Sequence, residues 1–359
     1  WDYAEANPLT PHYAGGLEFA FKKAEESLTA AIHLGKSAAT VLQGNAINIP
    51  LPDDGADLFF TDPPYYDVVP YADLSDLCYV WLKRFIGADH PDLFQTELTP
   101  KADQIVVNPY APEDGRGEQT PEAYQERMTA AFREGRRILR PDGIGAIVFA
   151  HKGTAAWEAL LGAVIDAGFI VTASWPIDTE RASRMRANQS AALGSSVHLI
   201  VRPREDQEGA LKTRDIGDWR DVLQELPKRI HAWMPRLAGE GVVGADAIFA
   251  CLGPALEIYS RYPRVEKASG EPVLLREYLE NVWAAVAREA LNMIFSGADA
   301  TGFEEDARLT AMWLWTLSTG GNGDGENGEE AQVTTGYLLE YDTARKIAQG
   351  LGAHLENLT

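Results

Sequence analysis

The sequence predicts an α/β fold followed by a mainly helical region, and three observations indicate this. Short apolar runs alternate with amphipathic segments over residues 1–205, which is typical of a mostly parallel sheet with helices on both faces. One of these runs leads into the segment FFTDPPYYD at 59–67. After residue 205 the apolar spacing becomes helical, so we expect two domains, 1–205 and 206–359.

The first elements are predicted from periodicity and from the residues that end them. Residues 17–34 carry apolar side chains at helical spacing, and Gly35 follows as a stop signal. A short strand is expected at 39–46 and a buried strand at 58–60, which runs directly into the proline pair. Residues 70–86 then have the pattern of a helix with one apolar core face.

The next elements have clearer end signals. Thr120 is a good N-cap and Pro121 suits the first helical position, so a helix with an apolar stripe through Tyr124 should begin there. The segment RPDG at 140–143 predicts a turn, and the apolar run at 144–150 predicts a buried strand.

A last helix and two strands complete the first region. Thr154 caps the helix and Gly168 ends it. The runs at 169–175 and 195–202 are then expected to form an antiparallel pair. Beyond them, 208–318 should be largely helical, a glycine-rich acidic run should form a flexible loop at 320–332, and a short helix should follow at 341–351.

Composition limits the classes of function. The formal charge is −21, which does not suit a protein whose whole surface binds nucleic acid. Residues 181–204 nevertheless contain five arginines and no acid: Arg181, Arg184, Arg186, Arg202 and Arg204. This segment is either a face that contacts phosphates or a solvated strand edge protected by charge.

Cysteine content and hydropathy give two further expectations. Cys78 and Cys251 are the only cysteines and form no CxxC pair, so we expect no disulfide framework, no zinc or other metal site, and a reducing cytoplasmic setting. No apolar run approaches the roughly 20 residues of a membrane span, so no membrane partner is expected.

Residues 62–65, the DPPY segment, have a specific chemical use at the end of a strand. An exocyclic amino group on a base is a poor nucleophile, because its lone pair is delocalised into the ring. The Asp62 carboxylate and a backbone carbonyl of the Pro63–Pro64 segment are candidate acceptors for its two N–H bonds, and Tyr65 offers a flat face for stacking. A base in a duplex must first be flipped out to reach such a pocket.

The alternative is that the two prolines only end the strand and that Asp62 caps the turn. Position favours a site, because ligands of open α/β sheets bind at the carboxyl ends of the strands. Asp62 follows one predicted strand, and His151 and Lys152 follow another.

Several segments carry a resemblance to a known family. DLFFTDPPYYD looks like the catalytic motif of S-adenosylmethionine-dependent amino-methyltransferases that act on adenine N6 or cytosine N4. More closely, the chain resembles the large, multi-domain adenine-specific DNA methylases of bacteria and archaea. The segments that carry this resemblance are 1–8 (WDYAEANP), 62–84, 138–152, 191–204 and 253–270.

The resemblance implies a Rossmann-like sheet of seven strands, with S-adenosylmethionine at its carboxyl edge and a glycine-rich loop after the first strand. No such loop precedes residue 62, and YAGGLEF at 13–19 is predicted to be a turn. We therefore expect the loop and the first two strands on a segment N-terminal to Trp1 or on a separate subunit. The resemblance also makes Asn45, where an aspartate is more usual, and Asp62 candidates for cofactor contact. A simple turn asparagine is the alternative for Asn45.

The other candidate residues would bind the substrate. Tyr66, Asp67 and Tyr71 follow the motif and are candidates for lining a base pocket, although Tyr71 also fits a helix core. His151 and Lys152 are candidates for contacting the target or a phosphate, or else begin the next helix. The candidates for phosphate contact in the basic segment are Arg181, Arg184 and Arg186.

Three functions remain open from the sequence. The leading one is methylation of DNA, most favourably at adenine N6. The second keeps the chemistry but acts on cytosine N4, an RNA base or a protein side-chain amide. The third is a non-catalytic recognition or assembly fragment that needs a cofactor-binding partner, since the glycine-rich loop was not found.

Overall fold

The computed structural model describes residues 16–34, 44–108, 119–151, 154–178, 195–205, 211–213, 215–240, 242 and 244–294. The chain divides into two compact units, residues 1–44 and residues 45–359. Within the described ranges, no helix is long and apolar enough to cross a membrane.

The described elements up to β4 agree in order with the sequence prediction, whereas the short strands β5 and β6 lie in the region that was predicted to be largely helical. The helices are α1 (Leu17–Leu34), α2 (Tyr71–Ile86), α3 (Pro121–Ile138), α4 (Thr154–Asp166), α5 (Trp219–Gly239), α6 (Gly244–Ser260) and α7 (Leu275–Ile294). The strands are β1 (Ala56–Thr61), β2 (Leu139–Phe149), β3 (Phe169–Asp178), β4 (Ser195–Pro203), β5 (Ile216–Asp218) and β6 (Arg264–Glu266). A short 3-10 turn lies at Pro91–Leu93.

The main sheet has four described strands in the order β1-β2-β4-β3. Strands β1 and β2 are parallel, whereas β4 is antiparallel to both β2 and β3. The α/β class and the antiparallel pair are confirmed, and the sheet is partly parallel: β1, β2 and β3 run in one direction, and β4 inserts between β2 and β3 in the other. The Rossmann-like identity of the sheet stays a prediction.

Strand β1 corrects the expectation of a buried strand at 58–60. Leu58 and Phe60 are 58% and 60% exposed, and only Phe59 turns toward the core. Phe59 packs against α3 so closely that a Cβ at Gly135 would lie 2.5 Å from its ring. Because side chains alternate along a strand, a strand at the end of the described sheet with a helix on one face buries only alternate residues.

The predicted turn at 140–143 takes another form. Ala56 pairs with Leu139, but Leu58 pairs with Ile144, so the residues between Leu139 and Ile144 bulge out of a continuous β2. The end signals at Thr120 and Pro121 are confirmed, whereas Gly35 lies outside the described residues and the Thr154 cap stays a prediction. The Thr120 hydroxyl accepts the Ala123 N–H at 3.2 Å.

Gly168 has a φ of +90°, which suits its role in ending the helix before it. Its N–H donates to the Ile165 carbonyl at 3.0 Å. The chain can therefore leave α4 and enter β3 within two residues.

Helix α2 also differs from its prediction. Ala72 is its one buried residue among those described, and its apolar stripe is exposed. Polar contacts attach the opposite side of α2 to the following loop: Asp76 accepts bonds from Lys101 at 2.6 Å and from the Thr99 N–H at 2.9 Å. The core face predicted for 70–86 is therefore wrong within the described part of the chain. The exposed members of the stripe are Leu74, Leu77, Trp81, Leu82 and Phe85.

Helix α6 covers the outer edge of β3. The Ser174 hydroxyl donates to the Ala250 carbonyl at 2.9 Å and accepts the Gly253 N–H at 2.7 Å. Pro254 has no N–H, so the Ala250 carbonyl lacks its usual helical donor and Ser174 replaces it. A Cβ at Gly253 would lie 2.2 Å from the Ala173 carbonyl carbon, so only glycine permits this approach.

The helical character predicted after residue 205 is confirmed for the described residues by α5, α6 and α7. Their apolar side chains belong to the same buried cluster as those of β2, β3 and β4. The domain boundary at 205 stays a prediction. The predictions for 39–43, for the part of 208–318 that follows Ile294, for 320–332 and for 341–351 lie outside the described residues.

Candidate functional site

The site begins where two parallel strands end at the same edge of the sheet. Strand β1 ends at Thr61, which pairs with Ile147, and β2 ends two residues later at Phe149. Asp62 therefore leaves β1 beside the point where His151 leaves β2. The Asp62 side chain is exposed, whereas Pro63 is buried.

An aspartate–histidine pair joins the two strand ends. His151 Nε2 lies 2.9 Å from Asp67 Oδ1, and the His151 side chain is only 13% exposed. The imidazole also packs against the Tyr66 ring with centroids 5.8 Å apart. The segments after β1 and β2 therefore meet at one edge of the sheet, and the contact between Asp67 and His151 connects them. Substrate binding by either residue stays a prediction.

The loop after the prolines has an unusual backbone. Tyr66 has a φ of +57°, in the left-handed region that a bulky residue rarely adopts. The Val68 N–H donates to the Tyr65 carbonyl at 3.0 Å and closes a turn around Tyr66, and the Val107 N–H donates to the Tyr66 carbonyl at 2.9 Å. Such a conformation costs on the order of 1–3 kcal/mol and persists only where the surroundings hold it, often at functional sites.

Tyr124 is a residue of this cluster that sequence reasoning did not identify as a candidate. Its hydroxyl donates to the Pro64 carbonyl at 2.8 Å, and its ring packs edge-on against Tyr66 with centroids 5.1 Å apart. The pKa of the Tyr124 hydroxyl is raised, mainly because the side chain is buried. In the sequence Tyr124 fits the apolar stripe of α3, but a tyrosine at a core position implies a buried hydroxyl that needs a partner. That signal alone could have identified it.

Tyr65 and Tyr71 extend the cluster on either side. The Tyr65 ring packs edge-on against Phe149, the last residue of β2, with ring centroids 5.4 Å apart. Burial raises the pKa of the Tyr71 hydroxyl, a hydrogen bond from the Tyr65 backbone lowers it, and the negative charge of Asp62 raises it. Tyr71, at the start of α2, therefore lies close to the DPPY segment, and its place in a base pocket stays a prediction.

Asn45 has the contacts of a turn residue. Its side-chain oxygen accepts the Ile47 N–H at 3.1 Å, and Asn45 pairs with Asn48 in an isolated antiparallel β-bridge. This agrees with the alternative given for it, and its cofactor contact stays a prediction.

The basic segment is only partly described. Lys152, Arg181, Arg184 and Arg186 lie outside the described residues. Arg204 is buried, where it donates to the Ser260 and Tyr262 carbonyls. Arg204 therefore cannot contact phosphate as the charge pattern suggested, because its guanidinium is used inside the fold.

Arg202, the other described arginine of this segment, also has a structural contact. Arg202 donates to the Asp142 carbonyl at 3.2 Å, next to the bulge of β2.

Among the described residues, no group of three or more His, Cys, Asp or Glu side chains is arranged to hold a metal ion.

Comparison of the chain with protein-family models, with curated proteins and with solved structures found no match. The geometry at the end of β1 is therefore the basis on which function can be argued.

Proposed function

We propose that this protein methylates an exocyclic amino group of a flipped DNA base, with adenine N6 as the leading target. The observation that carries the proposal is the arrangement of acceptors at the end of β1. An exposed carboxylate, Asp62, and two successive prolines leave the strand at the edge where ligands of α/β sheets bind.

The carbonyl groups of the two prolines have different surroundings. The Pro64 carbonyl already accepts the Tyr124 hydroxyl at 2.8 Å and the Tyr66 N–H at 3.0 Å, so both of its lone pairs are used. Among the described residues, no donor bonds to the Pro63 carbonyl or to the Asp62 carboxylate. These two groups are therefore the acceptors that we assign to the target amine.

Two acceptors on one amine change its reactivity. Hydrogen bonds from its N–H groups to Asp62 and Pro63 would draw the nitrogen toward tetrahedral geometry and return the lone pair from the ring to the nitrogen. The negative charge of Asp62 also stabilises the positive charge that the nitrogen gains in the transition state. The proton that the nitrogen then loses lies on the hydrogen bond to Asp62, from which it can pass to solvent.

S-adenosylmethionine, when bound, would supply the electrophilic methyl group. Asn45 and Asp62 are the candidates for contact with it among the described residues, and the sequence has no glycine-rich loop before residue 62. We therefore propose that an N-terminal segment or a separate subunit holds the donor. Adenine as the target rests on the resemblance to adenine-specific DNA methylases.

The test is transfer of a labelled methyl group to DNA, with the product base identified by mass spectrometry. We expect Asp62→Ala to lower the rate about 100- to 1,000-fold, because it removes preorganised charge stabilisation. Asp62→Asn keeps one acceptor oxygen and should retain more activity than Asp62→Ala.

Asp57→Ala is the matched control, because Asp57 is an exposed aspartate on the same strand that pairs with Arg140 at 3.0 Å. It should leave methylation unchanged. Equal rates for wild type and Asp62→Ala would contradict the role of Asp62, and N4-methylcytosine as the product would change the target base.

A further inference from the structure

The two prolines leave one backbone torsion in the motif undetermined. Asp62 and Pro63 each precede a proline, which restricts both to extended conformations. Pro64 is followed by Tyr65 instead, so its ψ can take either a helical or an extended value. The direction of the Pro64 carbonyl is therefore the first feature of this segment that the local sequence does not determine.

Tyr124 acts on that carbonyl. The Tyr124 hydroxyl comes from α3, sixty residues along the chain, and donates to the Pro64 oxygen at 2.8 Å. The Tyr124 side chain is only 1% exposed, so the hydroxyl has little access to water as an alternative partner. Breaking this bond would leave the buried Tyr124 hydroxyl without a partner, and the free-energy cost of that loss favours the bonded geometry.

The same contact supports the strained turn. Tyr66, with its φ of +57°, follows Pro64 by two residues, and its ring lies against both Tyr124 and His151. Its N–H donates to the Pro64 oxygen at 3.0 Å. A carbonyl held from two sides therefore fixes both the end of the proline pair and the start of the turn.

We propose that Tyr124 is a positioning residue for the DPPY segment. By holding the Pro64 carbonyl and the Tyr66 turn, its hydroxyl presents the Asp62 carboxylate and the Pro63 carbonyl to the target amine in a fixed geometry. The effect on catalysis rests on the proposed function, whereas the effect on the loop does not. No step of the reaction requires the Tyr124 hydroxyl to touch the substrate.

A second buried tyrosine provides a matched control. Tyr278 of α7 is fully buried, and its hydroxyl donates to the Ala255 carbonyl within the helical region. Tyr124→Phe and Tyr278→Phe each remove one buried hydroxyl from one backbone carbonyl. A general loss of stability should therefore appear in both variants, and an effect on the DPPY loop in Tyr124→Phe alone.

The first measurement is amide hydrogen exchange of the full chain without substrate. We expect the amides of Tyr66, Val68 and Val107 to exchange about tenfold faster in Tyr124→Phe than in Tyr278→Phe, since about one hydrogen bond of net stabilisation is lost locally. The amide of Ile147, within the sheet, should change equally in both variants. Loop amides that exchange no faster in Tyr124→Phe than in Tyr278→Phe would overturn the proposal.

The second measurement is steady-state methylation. We expect Tyr124→Phe to lower kcat about 10- to 100-fold, because the acceptors are misplaced, while KM for DNA stays within about twofold. Tyr278→Phe should leave both constants unchanged. An active wild type with an unaltered kcat in Tyr124→Phe would refute the positioning role. A wild type that methylates no base would refute the proposed function instead, and the exchange result would still decide how Tyr124 acts on the loop.

Discussion

Replacing Ser174 by alanine tests how α6 is joined to the edge of the sheet. The Ser174 hydroxyl satisfies two buried backbone groups at once, the carbonyl of Ala250 at 2.9 Å and the N–H of Gly253 at 2.7 Å. Pro254 has no N–H to donate to Ala250, so the helix cannot replace the lost donor. The substitution should therefore leave the Ala250 carbonyl unpaired and remove one acceptor from the Gly253 N–H, in a site where Ser174 is 3% exposed.

The magnitude follows from those two groups. A buried polar group without a partner costs about 1–3 kcal/mol, which applies to the Ala250 carbonyl, and the hydrogen bond lost by the Gly253 N–H adds about 0.5–1.5 kcal/mol. Local relaxation around the smaller side chain should recover part of this, and we expect Ser174→Ala to lower the free energy of unfolding by about 2 kcal/mol. A loss of this size is a large fraction of the stability of an ordinary domain.

Urea denaturation followed by circular dichroism measures this loss, with the m-value checked for constancy. Ser75→Ala is the matched control, because the Ser75 hydroxyl bonds to the Tyr71 carbonyl at 2.8 Å on exposed α2, where water can replace it. Its effect should stay within about 0.5 kcal/mol. A loss below about 1 kcal/mol in Ser174→Ala, or one equal to that of Ser75→Ala, would refute the idea that the hydroxyl substitutes for the missing N–H of Pro254.

Two further predictions concern close packing and pH. Gly253→Ala should destabilise the protein by about 3 kcal/mol, because the new Cβ would lie 2.2 Å from the Ala173 carbonyl carbon. Gly239→Ala is the control, since no atom lies within 4 Å of its new Cβ, and it should stabilise α5 by up to about 1 kcal/mol. Equal effects of the two variants in chemical denaturation would contradict this prediction. Hydrogen bonds from Lys101 and then from Thr99 lower the pKa of Asp76 from 3.8 to about 2. A lowered carboxyl pKa stabilises the folded state above the unfolded value, so this contribution should be complete above about pH 5 and lost as the pH falls toward 2. An NMR titration of Asp76 should show this midpoint, and Lys101→Ala should raise it toward 3.8; an unshifted midpoint would disprove the cause.

Helix ends were predictable because their signals are local. The Thr120 cap, the proline after it and the positive φ of Gly168 act within one turn of the chain, so the sequence carries them in adjacent letters. Strand burial was predicted less well. Leu58 and Phe60 are apolar, but whether their face is covered depends on elements elsewhere in the chain, which periodicity does not report.

The residues of the candidate site also differ in whether the local sequence could identify them. Asp62 and its two prolines were identified from adjacent residues, because the function of a proline pair after a strand can be argued from backbone chemistry alone. Tyr124 was not identified, because its hydroxyl reaches Pro64 across sixty residues and only packing brings them together. Arg204 shows the opposite error, since it belongs to a basic segment in the sequence but lies buried against the carbonyls of Ser260 and Tyr262.

The sequence by itself therefore determined the order of the described elements up to β4, the start of α3, the end of α4 and the position of the DPPY segment. These follow from hydrophobic periodicity and from residues with restricted backbone torsions, which act over a few residues. Tertiary structure alone decided that β4 inserts between β2 and β3, that His151 meets Asp67 and that Tyr124 holds the Pro64 carbonyl. These contacts join groups that are distant along the chain, and their partners are selected by burial and by the need of every buried polar group for a hydrogen bond.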